Sequence, residues 1–409
     1  MQKKKKQRQS TMTTTRILVT GGCGFIGSCF VRSCLQRDDV FVVNIDRLYP
    51  CATRTLCENI PEKYVFVQAD ITEPGRILNL LLLYDINVVV GFAAQSHVDT
   101  SFSNPRLYLK DNVLGTQTIL DALRECHEKS VHTKPRFIHI STDEVYGQSD
   151  HDDSDAKHEG SLLKPSSVYS ATKACAEMFV HAYQCSYKIP AIIVRGNNAI
   201  GKGQYLEKCI PRFIALLREN LPLTIQGDGT QRRSFIAVDD FVDAIHCVIQ
   251  KGENGAIYNI GSDFEISILE VARTIANCME AKDAKIMFVR DRNFNDKRYW
   301  IKSDALRALG WRQKICFEEC IRQTIQWYLD DMPRGYFVEN YTLPTPIQVG
   351  QIVPLFESPN QQDEHEELRV SLRLRRPSPK CQACTCDISG PSECLTCECD
   401  GCVSEKTLS

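Results

Sequence analysis

Arg16-Ile17-Leu18-Val19-Thr20-Gly21-Gly22-Cys23-Gly24-Phe25-Ile26-Gly27 is the stretch that decides how this chain is read. A short apolar, β-prone run meets glycines at 21, 24 and 27 and passes into the helical pattern Ile26–Gln36. That is how a strand turns tightly into a helix. Glycines in such a turn let a pyrophosphate approach the backbone and let the helix pack against the strand. The helix N-terminus adds free N–H donors and a partial charge of about +0.5. Gly-rich turns also serve as plain hairpin or capping loops, so the triplet needs context.

Asp46 supplies it, ending the second apolar run 19 residues after Gly27. A carboxylate there accepts hydrogen bonds from an adenosine ribose and repels a 2′-phosphate, which favours NAD over NADP. Arg47 beside it is the counter-signal, since it could accept that phosphate. Plain alternatives are that Asp46 caps a loop and that Asp70 caps a helix entered through Thr72 and Pro74.

Outward from this turn, apolar runs recur at Val65–Val67, Val88–Val90, Phe137–Ile140 and Ala191–Val194, with helical patterns at Leu107–His127 and Tyr169–Tyr187 between them. Continuous apolar strands joined by crossover helices predict an α/β chain with a doubly wound Rossmann parallel sheet. It should span residues 16–195, with a return segment over 236–261. A smaller α/β substrate-binding domain is expected mainly over 196–335, with helices at Ile268–Met279 and Phe317–Leu329. Residues 1–15 read as a basic disordered tail. Prolines and polar residues make 336–380 a linker, and 381–402 is a cysteine-rich tail.

Composition bounds the function. The 409 residues are 43% hydrophobic and 24% charged with a net charge of −2, so no global field recruits nucleic acid or an anionic membrane. Of the 20 cysteines, those from Cys23 to Cys320 are scattered without framework spacing, which suggests reduced, intracellular thiols. No signal peptide or membrane span is evident, and a cytoplasmic or nuclear protein is expected. In the tail, Cys381-x-x-Cys384 is echoed by Cys394-x-x-Cys397. Thiolates at that spacing can close on one or two zinc sites, or the segment is a low-complexity tail of free thiols.

The fifth strand runs into Ser141-Thr142-Asp143-Glu144-Val145-Tyr146-Gly147, and 27 residues after Thr142 comes Tyr169-Ser170-Ala171-Thr172-Lys173. Tyr and Lys four apart share a helix face. An ammonium beside the phenol, together with an oxidised nicotinamide, is expected to lower the Tyr169 pKa and make it a base for a hydroxyl proton. The same spacing is common in ordinary amphipathic helices, and Asp143 and Glu144 could be solvated loop charges.

With these residues, and with Ala93-Ala94-Gln95-Ser96-His97-Val98-Asp99, Gln231–Phe235 and Tyr258–Gly261, the sequence over about residues 16–330 resembles the extended short-chain dehydrogenase/reductase family. Within it the match is to the nucleotide-sugar 4,6-dehydratases of the dTDP-glucose type. The Thr-Asp-Glu triplet is the specific part, because sister epimerases and decarboxylases lack the adjacent Asp-Glu. The resemblance implies an NAD-dependent hydro-lyase acting on dTDP- or UDP-glucose. C4 is oxidised, water is eliminated across C5–C6, and C6 is then reduced.

In that scheme Tyr169 is the base for the 4-OH, Lys173 tunes it and binds the ribose, and Thr142 hydrogen-bonds the 4-OH. Glu144 takes the C5 proton and Asp143 protonates the leaving water. The resemblance puts Gly21, Gly24, Phe25, Ile26, Gly27, Asp46, Asp70, Ile71, Ala93, Ala94, Ser96 and Asp111 at cofactor positions, alongside Tyr169 and Lys173. It puts Ser96, Thr142, Asn198, Lys208, Arg233, Arg292 and Asn295 at substrate positions, where the cations suit a diphosphate. It implies a homodimer through the Leu107–His127 and Tyr169–Tyr187 helices.

Departures fall at Asn197-Asn198-Ala199-Ile200-Gly201-Lys202, which loses an aromatic and a proline, and at Asn293 and Asn295. They leave the catalytic groups intact and put nucleotide and sugar selectivity in question. The alternatives are a nucleotide-sugar 4-epimerase and a non-catalytic NAD-sensing interaction protein.

Overall fold

In the computed structural model, which describes residues 14–129, 134–149, 155–292, 294–331 and 352–356, the opening run becomes β1 (Thr15–Thr20) and α1 (Phe25–Leu35). Then come β2 (Val40–Asp46), β3 (Tyr64–Gln68), α2 (Arg76–Leu83), β4 (Val88–Gly91), α3 (Val98–Ser103) and α4 (Pro105–Tyr108). A π-helical stretch, Leu109–Leu114, leads into α5 (Gly115–Lys129) and β5 (Arg136–Thr142). A 3-10 turn, Asp143–Tyr146, precedes α6 (Val168–Tyr187) and β6 (Ala191–Gly196). The later part contributes β7 (Asn198–Ile200), α7 (Cys209–Arg218), β8 (Leu223–Gln226), β9 (Arg232–Ala237), α8 (Val238–Lys251) and β10 (Ile257–Ile260). It continues with β11 (Glu265–Ser267), α9 (Ile268–Cys278), β12 (Lys285–Val289), α10 (Asp304–Ala308), α11 (Phe317–Asp331) and β13 (Ile352–Pro354).

The main sheet has seven strands in the order β10-β6-β5-β4-β1-β2-β3, and every pairing in it is parallel. Alternate residues of each strand feed opposite faces. Ile17, Val19, Val42 and Val90 pack with α1 and α8, while Leu18, Val43 and Val89 pack with α2 and α5. Both faces are dry, which is why these strands read as unbroken apolar runs. The strand order reverses between β1 and β4, and that switch point opens the ligand crevice at the strand C-termini.

A second core, including Phe213, Ile214, Leu223, Ile225, Val271, Ile275 and Ile321, joins α7, α9 and α11 to the small sheet β13-β12-β8. Two expectations change here. Residues 352–356, assigned from sequence to the linker, hold β13, which pairs antiparallel with Lys285–Met287 and buries Leu355 to 2% exposure. The apolar run Ile352-Val353-Pro354-Leu355-Phe356 drives this, with its proline at the sheet edge where a missing N–H is tolerated. The helix expected over Leu107–His127 is interrupted by the π stretch, which buries Asp111 and Asn112. One-turn π insertions of this kind occur often at functional sites. The cysteine tail, with Cys381, Cys384, Cys394 and Cys397, and the basic N-terminal run lie outside the described residues.

Candidate active site

The first βα turn is built for a close-approaching ligand. Gly21 has φ +72°, and a Cβ there would come within 2.6 Å of the Ala93 backbone nitrogen. A Cβ on Gly27 would sit 2.3 Å from the Gly21 carbonyl oxygen. Only glycine permits the turn and the helix–strand approach. No side chain caps α1 at Gly24, so the first-turn N–H groups keep their capacity for an anion. From this turn a cleft extends over the end of β2, lined by Asp46, Asp70, Ile71, Ala93, Ala94 and Asp111.

Asp46 accepts from the Cys23 N–H at 2.9 Å and from the Leu48 N–H at 2.8 Å, so it also braces the glycine turn. Arg47 donates to Asp111 and, at 3.2 Å, to Asp70, and its guanidinium lies 4.7 Å from the Tyr49 ring. Two carboxylates therefore already neutralise the cation that complicated the cofactor reading. Asp70 does not cap α2: its Oδ1 accepts from the Thr72 N–H and hydroxyl, and the helix begins after Gly75.

The cleft continues over the ends of β5 and β6, where Phe25, Ile26, Gly27, Thr142, Tyr169 and Lys173 line it. The Thr142 hydroxyl is a hydrogen-bond partner of the Tyr169 phenol. It donates to Asp143 Oδ1 at 3.1 Å and accepts from the Glu144 N–H. Glu144 faces both this cleft and the neighbouring cavity. Asp143 is 2% exposed and stands one layer behind, its Oδ2 accepting from Asn197 Nδ2 at 2.6 Å.

Burial pushes Asp143 up to about 6, against the hydrogen bonds from Asn197 and Thr142. Burial and then the Asp143 charge push Glu144 up to about 7, against Arg233, Lys208 and Arg292. Burial lowers Lys173 to about 8, and its ammonium donates to the Ile140 carbonyl at 2.6 Å. For Tyr169, burial and then the Glu144 charge act against the expected lowering and hold the phenol above its ordinary value, with the Thr142 hydrogen bond opposing them; the nicotinamide charge that the expectation also invokes stands outside this balance. Helix spacing places the two side chains on one face, but desolvation disfavours the phenolate more than proximity favours it.

Beyond Glu144 the cavity is walled by Ser96, Asn198, Lys208, Arg233, Arg292 and Asn295, so every residue expected to touch substrate, Thr142 included, borders the continuous cleft. Among the described residues no group of three or more His, Cys, Asp or Glu could hold a metal ion.

The sequence profile of the GDP-mannose 4,6 dehydratase family covers residues 18–324. The chain belongs to this family. Relatives in it include the mouse dTDP-D-glucose 4,6-dehydratase, 38% identical over 342 residues that cover 81% of this chain and 94% of that one. An Arabidopsis thaliana trifunctional UDP-glucose 4,6-dehydratase/UDP-4-keto-6-deoxy-D-glucose 3,5-epimerase/UDP-4-keto-L-rhamnose-reductase is 38% identical over 87% of this chain and 53% of its own length. The chain thus spans about half of that plant relative. The crystal structure of the Streptomyces venezuelae dTDP-glucose 4,6-dehydratase, solved with NAD bound, superimposes with a TM-score of 0.72 at 32% identity, covering 78% of this chain and 98% of that one.

Against this family frame, the structure adds residues that sequence reasoning missed. Asn197, noted only as a departure, holds Asp143 and accepts from the Ser262 N–H at 3.0 Å; its place at the end of β6 was the available signal. Arg195 and Glu177, 4% and 3% exposed at their side chains, form a buried ion pair. Arg195 also donates to the Tyr146 hydroxyl at 2.8 Å, which ties the 3-10 turn bearing Asp143 and Glu144 to α6. Asp296 and Tyr299 line the cavity wall as well.

Proposed function

We propose that this chain is an NAD-dependent nucleotide-sugar 4,6-dehydratase that converts dTDP- or UDP-glucose to the 4-keto-6-deoxy sugar. The observation that carries the reading is the adjacent carboxyl pair, Asp143 buried and Glu144 half-buried at the cleft wall, with values pushed up to about 6 and about 7, beside Thr142 and Tyr169 at one strand end. An epimerase needs the oxidation groups but has no use for two further carboxyls with raised pKa values. Elimination of water needs both a base and an acid near neutral pH.

NAD seated over Gly21, Gly24 and Gly27, with its adenosine ribose at Asp46, would supply the hydride acceptor for C4 and the donor for C6. The Arg47 clamp by Asp70 and Asp111 favours NAD, since the cation that lines this cleft among the described residues is already paired. Tyr169 takes the 4-OH proton as its phenolate, a form that Lys173 and the positive nicotinamide of NAD would favour, and Thr142 holds both that hydroxyl and the phenol. Lys173, fixed by the Ile140 carbonyl, supplies positive charge beneath the ribose. Ketone formation at C4 acidifies C5–H, which Glu144 removes and returns to C5 when C6 is reduced. Asp143 then delivers a proton to the departing C6 oxygen, for which its carboxyl must leave Asn197. Lys208, Arg233 and Arg292 neutralise the diphosphate.

Leu109, Leu114, Met178 and Tyr187 are 56%, 45%, 61% and 48% exposed on the π stretch and α6, which supports pairing with a second copy of the chain. A monomeric mass by light scattering at micromolar concentration would refute the pairing. Among the described residues no helix is long and apolar enough to cross a membrane. The described cysteines are all free, which supports a reducing cytoplasm. Zinc at Cys381, Cys384, Cys394 and Cys397 remains a proposal from spacing alone.

The test is incubation with separate nucleotide-glucoses and mass analysis for loss of one water, with alkaline absorbance for the 4-ketone. A hexose epimer without mass change would favour the epimerase, and binding of NAD without turnover the sensor.

A further inference from the structure

The substrate cavity contains a carboxylate that the oxidation, elimination and reduction steps leave unused. Asp296 lines the cavity and is only 3% exposed. Its Oδ2 accepts hydrogen bonds from the Ser166 hydroxyl and from the Tyr299 hydroxyl. Its Oδ1 is buried and has no hydrogen-bond partner. A carboxylate offers about four acceptor positions, and a buried acceptor without a donor is costly in a folded protein. Such an atom calls for an explanation, and a ligand donor is one.

The group is held ready for that donor. Ser166 lies just before the Ser167 cap of the helix that carries Tyr169 and Lys173, so one of the two restraints comes from the segment leading into the catalytic helix. The other, Tyr299, packs its ring 4.7 Å from the Arg233 guanidinium, and Arg233 in turn donates to Asn295 at 3.0 Å. Two hydroxyl donors on Oδ2 fix the carboxylate plane and leave Oδ1 without a donor and closed to water, so that a small shift of the cavity wall is what presents it to a ligand.

The position along the cavity narrows the donor. Glu144, Asp296 and Tyr299 border the same cavity, and Ser166 ties Asp296 to the segment that enters α6 just before Tyr169, which puts the Asp296–Tyr299 pair at the end where the catalytic groups lie. A carboxylate repels phosphate and accepts only from neutral or cationic donors. On a nucleotide sugar seated with its C5–H at Glu144, the neutral donors at that end are the hexose hydroxyls.

We propose that Asp296 Oδ1 accepts a hydrogen bond from a ring hydroxyl of the hexose at C2 or C3, the carbons that the reaction leaves unchanged. This makes Asp296 a specificity-determining substrate contact, selecting hexoses that keep a hydroxyl there. The inference rests on the reading of this cavity as a nucleotide-sugar site.

The test pairs a variant with substrate analogues. Binding of UDP-glucose, dTDP-glucose and their 2-deoxy and 3-deoxy hexosyl analogues is measured by calorimetry on the parent and on Asp296→Asn, with product formation followed separately. A hydrogen bond to a charged group makes about 10–100-fold in affinity the expected loss for one deoxy analogue on the parent. Asp296→Asn should lose a similar factor with the full substrate and then no longer distinguish that analogue from it. A merely structural role would weaken all ligands and leave the discrimination intact, which would overturn the proposal. A parent that binds both deoxy analogues as tightly as glucose overturns it without any variant, so folding of Asp296→Asn is not a prerequisite. A loss confined to UDP-glucose would assign the carboxylate to the ribose 2′-hydroxyl and refute the hexose contact. A parent that discriminates in binding but forms no 4-keto product would sink the dehydratase reading and leave the Asp296 contact standing.

Discussion

Replacing Glu144 by Gln separates dehydration from the oxidation that the wider family shares. Gln keeps the side chain's shape and removes its ability to take the C5 proton, while Thr142, Tyr169 and Lys173 remain able to oxidise C4. A positioned general base contributes about 10²–10⁴ in rate, or about 3–5 kcal/mol of barrier at 1.36 kcal/mol per decade. Elimination should fall by that factor. The structure adds a second, opposite effect. The Glu144 carboxyl has an ordinary value of 4.5 and here titrates at about 7, chiefly because it is buried, so its ionisation opposes folding.

The sign follows from proton counts. Between pH 4.5 and about 7 the folded chain binds more protons at Glu144 than the unfolded chain does. Stability therefore falls as pH rises through that window. Above it the cost is at most about 3 kcal/mol, and less once the shared charge of Asp143 is allowed for. Glu144→Gln should thus melt higher than the parent above pH 7.5, with the difference vanishing below about pH 4.5. It should accumulate bound NADH absorbance slowly, make little 6-deoxy product, and exchange C5–H with deuterated solvent as slowly as it turns over. A variant that turns over at the parent rate would remove Glu144 as the base and, with it, the main support for the dehydratase reading. A variant that melts lower at high pH would refute the buried-charge account.

Denatured protein is expected to release NAD, with NADP below a few per cent of it as measured by enzymatic cycling; equimolar NADP would contradict the roles given to Asp46 and the Arg47 clamp. Arg195→Met should destabilise by about 3–5 kcal/mol in denaturant melts because it leaves Glu177 buried and unpaired, and Arg195→Met with Glu177→Leu should recover most of the loss. A single variant within about 1 kcal/mol of the parent would show that the pair does not need its partner. Removal of residues 357–409 should keep turnover within a few-fold and abolish any bound zinc, measured by metal analysis. A truncation after Tyr341 also removes β13 with its buried Leu355, and should lose about 1.5–3 kcal/mol more in stability; equal melting of the two truncations would show β13 to be dispensable.

The parts of the fold and site legible in the sequence are those where one short segment carries the whole requirement. The glycine turn, the Asp46 strand end, the Thr142–Glu144 triplet and the Tyr169/Lys173 spacing are local, and parallel strands buried on both faces leave unbroken apolar runs. Contacts that join distant segments were not legible. Asn197 meets Asp143 across 54 positions of sequence, and Ser166 meets Asp296 across 130. Neither residue type nor spacing announces these pairings, because a lone Asn or Asp in a loop is compatible with many partners. The π stretch was hidden for another reason: inserting one residue into a helix shifts the apolar period too little to stand out, yet it turns Asp111 and Asn112 inward.

Charge state is the other quantity that spacing could not supply. Tyr169 and Lys173 lie on one face of α6, and from that neighbourhood alone the phenol should be drawn down. Burial acts on both groups and favours the neutral form of each, raising Tyr169 and lowering Lys173 to about 8. Asp143 and Glu144 are shifted toward neutrality by the same cause. Burial thus shifts all four groups toward neutrality, and Asp143, Glu144 and Lys173 come to titrate at about 6, about 7 and about 8. Carboxyls that titrate near neutral pH suit a reaction in which one must accept a proton and its neighbour donate one, whereas Tyr169 can act as a base only as its phenolate, which needs positive charge from Lys173 and from an oxidised nicotinamide. Groups fixed as full charges in water could not alternate between donor and acceptor at one pH.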